Sequence, residues 1–175
     1  MYDHALFVQT VSGLTHWLLE PHPSITVLER LTDRATAVVG LAGSGILLDI
    51  DGALGLATAM PDAVADLEQV QEREQAGPGV EAYRSGHVVT VPDLSLDDRW
   101  PAFAERAVAT GMPAAAGIPL RAGRVHVGAL TAYAAVPGEW LEDDVAALTA
   151  LADLATGCLL NASRRRDQDD LVRQL

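Results

Sequence analysis

The chain contains no lysine and a single cysteine, Cys158. One cysteine excludes an internal disulfide and any site built from several thiolates. All twelve basic residues are arginine. A phosphate-cradling glycine loop ending in Lys-Ser or Lys-Thr is therefore absent. Positive charge is scarce: twelve Lys+Arg stand against 24 Asp+Glu, for a formal net charge of −12. Such a surface repels phosphate backbones, so this segment is not expected to hold nucleic acid directly. The amino-terminal "MYDHALFVQTVSGL" lacks the basic, apolar and small-residue succession of a leader. No apolar run reads as long and unbroken enough to span a bilayer. No membrane association and a reducing cytoplasmic location are the expectations.

At 49% hydrophobic residues in 175, the chain can bury the core of one domain. Phe7, Val11, Leu14 and Leu18 share a helical face, and Pro21 and Pro23 end that helix. Ile25, Leu28, Leu31, Ala35 and Val38 define a second helix. It has Ser24, or Thr26 with Glu29, as caps and Gly40 as its stop. "SGILLDIDGALGLATAM" changes the period to two, and Asp51-Gly52 supplies the backbone of a tight reversal. A helix follows from Pro61-Asp62 with Val64, Leu67 and Val70 inward, punctuated by Gly77-Pro78-Gly79. "VEAYRSG" gives one or two helical turns. "HVVTVPD" gives an edge strand, because Pro92 cannot continue a ladder. "DDRWPAFAERAVATG" is a helix with Phe103, Ala107 and Val108 inward. A second hairpin turns at Arg121 to Arg124, and Gly128 inside its second strand marks a close backbone approach. The last segment carries an apolar stripe from Leu141 to Ala162. The charged "SRRRDQDDLVRQL" continues the helix with no Gly or Pro to stop it.

Antiparallel strands with helices at both ends define an α+β domain. Strands are expected near 45–50, 54–59, 88–91, 115–120 and 126–133. Terminal helices would cover one face of the sheet, and the connection between the hairpins would cross the other.

The chemistry-bearing residues are isolated. Asp93, Asp97 and Asp98 read as turn and cap residues rather than a cation site. Trp100 before Pro101 is expected to pack a helix start onto the sheet. His87 and His126 have no metal-ligand spacing around them. A single proximal histidine can hold haem, but these two carry no further signature of it and haem is disfavoured. No cofactor is required by the sequence. Cys158 lies within an apolar stripe as a buried thiol. There is no Gly-x-Ser-x-Gly elbow and no nucleophile–base–orienter set, so an enzyme ranks last. Arg164, Arg165 and Arg166 face Asp167, Asp169 and Asp170 as a solvated helix surface.

Together, "VLERLTDRATAVVG", the Asp51-Gly52 hairpin, "GPGVEAYRSGHVVTVPDL", "RWPAF", "ATGMPAAAGIPL" and "VGALTAYA" resemble a GAF domain. The resemblance runs from about Ser24 to Leu160. The spacing "GP...A...SG..V.V.DL..D.RWP.F" and the charged helical tail are most similar to GAF domains that precede RNA-binding ANTAR modules in actinobacterial antitermination regulators. The resemblance implies a GAF-like central antiparallel sheet of five or six strands with a pocket between one sheet face and residues 77–111. Tyr83, Trp100, Phe103, Met112, Thr131 and Tyr133 are the candidate pocket residues. It implies a small-molecule or partner signal passed through terminal helices to an RNA-binding output. The organisation is then an amino-terminal helix over 1–22, a GAF domain over 23–162 and a helical linker over 163–175. A homodimer through the terminal helices is expected, because one short sheet face cannot absorb both helical stripes. The alternatives are a ligand-free dimerisation module and a haem or redox sensor. Relatives of the narrower group often carry cysteine where this chain has Gly79. Bilin attachment and methionine-sulfoxide reduction would need a pocket cysteine, and cyclic-nucleotide binding would need a lysine. The small residues Ala114, Ala115, Ala116, Ala129 and Ala132 leave room either for a ligand or for a helix packed close.

Overall fold

A computed structural model describes residues 1–20 and 22–173. Pro21, Gln174 and Leu175 lie outside the described residues, as do the side chains of Leu18, Leu19, Leu171 and Val172. Helices α1 (His4–Leu19) and α2 (Ser24–Val39) lead into the hairpin β1 (Gly43–Ile50) and β2 (Ala53–Met60). Helices α3 (Asp62–Glu74) and α4 (Pro78–Ser85) precede β3 (Val89–Val91). A 3-10 turn and α5 (Pro101–Ala109) lead to the hairpin β4 (Ala114–Ala122) and β5 (Val125–Ala134), and α6 (Glu142–Arg173) closes the chain. The five strands form one sheet in the order β2-β1-β5-β4-β3, every neighbouring pair antiparallel. The expected α+β class, the five strand positions and both hairpins are therefore observed.

Alternation along the strands divides the core in two. Ile46, Ile118, Leu120, Leu130 and Ala132 face α2 and α6, where they meet Leu28, Leu31, Leu148, Leu151 and Ala155. Ala115 and Tyr133 face the other way, onto Val64, Leu67, Phe103 and Met112. Leu14 of α1 is closed within the first cluster at 1% exposure, so α1 lies across α2 and α6 of its own chain. Phe7 and Val11 are only partly covered, and Val8 is exposed. Among the described residues α6 is long and apolar enough, by length and composition only, to cross a membrane, where the sequence expectation was that no run is. In the fold, the buried part of its apolar stripe packs on the sheet and α2.

Several local expectations are corrected. Ile25 is exposed and Val27 takes its place in the core; α2 begins at Ser24 itself, with Pro23 before it and no side-chain cap bond. Val108 of α5 faces solvent, while Ala104 is inward. Neither Asp97 nor Asp98 caps α5, whose preceding residue Trp100 makes no side-chain cap bond. Asp97 instead grips Arg99, accepting from its backbone N–H at 3.0 Å and its guanidinium at 2.6 Å. Asp93 does hold its turn, accepting from Ser95 N at 2.9 Å.

Candidate functional site

The inner sheet face, under α3 and α4, is polar at its centre. On α3, Val64 and Leu67 are inward, and Glu68 and Gln71 lie one turn further along the same stripe. All four are closed to solvent. From β5, Thr131 and Tyr133 reach the same place and are equally closed. Tyr133 Oη donates to Glu68 Oε1 at 2.6 Å. Gln71 Nε2 lies 3.2 Å from Glu68 Oε2, 3.1 Å from Thr131 Oγ1 and 3.4 Å from Tyr133 Oη, so two N–H bonds are shared among three acceptors. Gln71 Oε1 accepts the backbone N–H of Gly79 at 2.9 Å, which ties the start of α4 to the network.

Burial is the dominant influence on Glu68. With water excluded, the charged form is disfavoured, and its carboxyl is pushed from 4.5 up to about 8. The hydrogen bonds from Tyr133, Thr131 and Gln71 oppose this without overcoming it. Burial therefore favours the neutral acid form of Glu68 near pH 7. Burial, then the neighbouring carboxyl, push the Tyr133 phenol well above its ordinary value.

Close backbone approaches build this arrangement. A Cβ on Gly117 of β4 would stand 2.1 Å from the Pro78 carbonyl oxygen. A Cβ on Gly45 of β1 would stand 2.5 Å from the Glu68 side chain. The small residues of the inner face thus admit the α4 backbone and the α3 side chains, which occupy the centre of the face themselves.

The six candidate pocket residues separate into three environments. Thr131 and Tyr133 join the polar network. Phe103, Met112 and Tyr133 share an apolar cluster, with Trp100 packed against it. Tyr83 packs on Leu47, Leu54 and Val80 and donates to Asp49 Oδ2 at 2.6 Å. That bond, with a smaller contribution from burial, raises the Tyr83 phenol. Recesses flank Trp100 on the outer side of α4. One of about 370 Å³ is lined by Gly77, Val80 and Arg84, and one of about 150 Å³ by Arg99, Pro101 and Phe103. A further recess of about 320 Å³ lies off the sheet, between Trp17, His22, Cys158 and Arg165. His126 Nδ1–H donates to the Tyr83 carbonyl at 3.0 Å, and His87 Nδ1–H to that of Ser85 at 2.8 Å. Cys158 is a buried free thiol, and burial pushes its pKa up and so disfavours the thiolate. Among the described residues no cluster of His, Cys, Asp or Glu could hold a metal.

Glu68 and Gln71 were missed by the reading of the sequence, which took Val64, Leu67 and Val70 as the buried face. The available signal was the helical spacing 64, 67, 68, 71, which places both polar residues on the inward stripe.

With this geometry, the comparisons identify the class. A family profile described as GAF domain matches residues 24–159. The chain belongs to the GAF family, whose members are mostly sensory or regulatory modules. No curated protein matches it by sequence. Among solved structures it is similar to the GAF domain of a phosphoenolpyruvate-protein phosphotransferase from Coxiella burnetii. That pair has 14% identity and a TM-score of 0.72, over 94% of this chain and 99% of that one. It is similar to free methionine-R-sulfoxide reductase from Neisseria meningitidis, at 16% identity and a TM-score of 0.69 over 92% of each chain. It also resembles the GAF-B domain of DevS from Mycobacterium smegmatis, with 20% identity and a TM-score of 0.63. There the match covers 83% of this chain and 99% of that one. At these identities the likeness shows the fold.

Proposed function

We propose that this chain is a non-catalytic, cytoplasmic signalling domain that passes a small-molecule or partner signal through its terminal helices. The output in this reading is an RNA-binding ANTAR module acting in transcription antitermination. The observation that carries the reading is α6. It is one unbroken helix of 32 residues. Its first half packs against the sheet and α2, and its charged positions from Ser163 to Asp170 are exposed. Such a helix converts a shift at the sheet into a displacement of whatever its far end holds. The resemblance of "GP...A...SG..V.V.DL..D.RWP.F" and the charged tail to those of antitermination regulators supports an ANTAR module as the output in this reading. A two-fold partner on the open side of α1, where Val8 is exposed and Phe7 and Val11 are half-covered, would set two such tails side by side.

The test is phase. In the full-length protein, a seven-residue insertion after Arg166 keeps the helical face at the tail to within about 20°, whereas a five-residue insertion rotates it by about 140°. The expected result is retained reporter read-through with seven residues and altered read-through with five. Identical behaviour of the two refutes transmission through α6. Sedimentation with and without residues 1–20 tests the dimer, and a monomer in both cases at tens of micromolar ends it.

A second reading, a dimerisation module with no ligand, is favoured by one observation: Glu68, Gln71 and the α4 backbone fill the inner face. Native mass spectrometry of the purified protein separates the two, since a stoichiometric small molecule on the domain refutes the ligand-free reading.

A further inference from the structure

The polar network joins three elements through four side chains and one backbone N–H. Glu68 and Gln71 come from α3, Thr131 and Tyr133 from β5, and the Gly79 N–H from the first turn of α4. Gln71 is the hinge-pin of this arrangement, because its amide bonds the sheet side with Nε2 and the α4 side with Oε1. Gly77, at the bend between the helices, has φ of +142°, and a Cβ there would stand 2.4 Å from Gln71 Oε1. The junction therefore packs directly against Gln71, whose amide is held by Glu68, Thr131 and Tyr133 on one side and by the Gly79 N–H on the other.

The groups facing Glu68 contribute no compensating charge. β1 presents Gly45, which has no side chain. β5 presents the hydroxyls of Thr131 and Tyr133, and Tyr133 is the titratable one. α4 contributes a backbone N–H through Gln71. The charged neighbours on α3 are engaged elsewhere: Glu72 on the Leu56 N–H, Asp66 on Arg106 of α5, and Arg73 on Glu74.

We propose that the Glu68–Gln71–Thr131–Tyr133 cluster is a proton-coupled lock that holds the α3–α4 junction shut on the sheet and releases one proton to water when it opens. This deepens the signalling reading above by naming what would regulate the pocket face, and its test is independent of the tail. The sign follows from linkage. The closed state keeps the proton up to about pH 8, whereas a hydrated Glu68 would lose it near 4.5. The lock is tightest below pH 4.5. Opening becomes about tenfold easier per pH unit between 4.5 and 8 and levels off above that.

Residue-resolved amide exchange on the whole chain reads the lock at Gly79, with Leu130 in the centre of the sheet as reference. After correction for base catalysis, the Gly79 opening constant should rise roughly 100-fold from pH 5.5 to 7.5 in the wild type. It should rise less than threefold in Glu68→Gln. An equal rise in both proteins overturns the proposal, and so does Gly79 exchanging no faster than Leu130 throughout. If Glu68→Gln does not fold, the Glu68 side-chain carbon is titrated by NMR in the wild type and in Tyr133→Phe. Loss of the phenol donor should move the midpoint upward, because that bond favours the carboxylate. A wild-type midpoint below 6, or a midpoint that stays or falls in Tyr133→Phe, overturns the lock.

Discussion

Gly117→Ala is the sharpest probe of the claim that α4, and not an open pocket, occupies the inner sheet face. The new methyl would lie 2.1 Å from the Pro78 carbonyl oxygen, 2.5 Å from its carbon and 3.0 Å from the Gly79 nitrogen. All three are backbone atoms, so no rotamer change relieves the contact. The first turn of α4 must lift, which also stretches the Gly79 N–H bond to Gln71. Overpacking of this kind costs about 3 kcal/mol, the upper part of the usual range. For a chain of this size that corresponds to a fall in Tm of roughly 6–12 °C. Gly13→Ala is the matching control: Gly13 lies within α1 and its added Cβ would meet nothing within 4 Å. Relief of the helical glycine penalty should raise stability by about 1 kcal/mol. Calorimetry of both variants beside the wild type decides the matter. A Gly117→Ala protein melting within ~2 °C of the wild type would mean that α4 does not rest on β4 as described.

Two further outcomes are expected. Ser44 is fully buried, donates to the Thr32 carbonyl at 3.0 Å and so accepts from the Thr36 hydroxyl at 2.8 Å. Ser44→Ala leaves both groups short of a partner and should cost about 1–2 kcal/mol in urea unfolding, while a change below ~0.5 kcal/mol contradicts that bonding. Gln75 covers the outer edge of β2 by pairing with both Leu54 N, at 3.0 Å, and Leu54 O, at 2.8 Å. Gln75→Ala should therefore speed exchange of the Leu54 amide by about tenfold, and an unchanged rate shows that the edge is protected by something else.

The sequence by itself determined the class, the order of elements and the strand positions. Alternation in "SGILLDI" and "VGALTAYA", the Asp51-Gly52 turn and the stops at Gly40, Gly86 and Gly111 act over a few residues, so local pattern is enough to read them. Pro92 likewise placed β3 at the edge, where it is found. Only the tertiary structure decided what fills the inner face. Of the small residues read for that face, Ala115, Gly45 and Gly117 lie on it while Ala116 and Ala132 face the terminal helices; composition was compatible with a ligand or with a close helix, and spacing along the chain does not measure the gap between layers. The fate of Glu68 was also hidden. A glutamate in "DAVADLEQVQ" reads as solvated until Tyr133, 65 positions further on, is found at hydrogen-bond distance. Long-range partners decide whether a charge is buried, and burial in turn decides whether it is a charge at all.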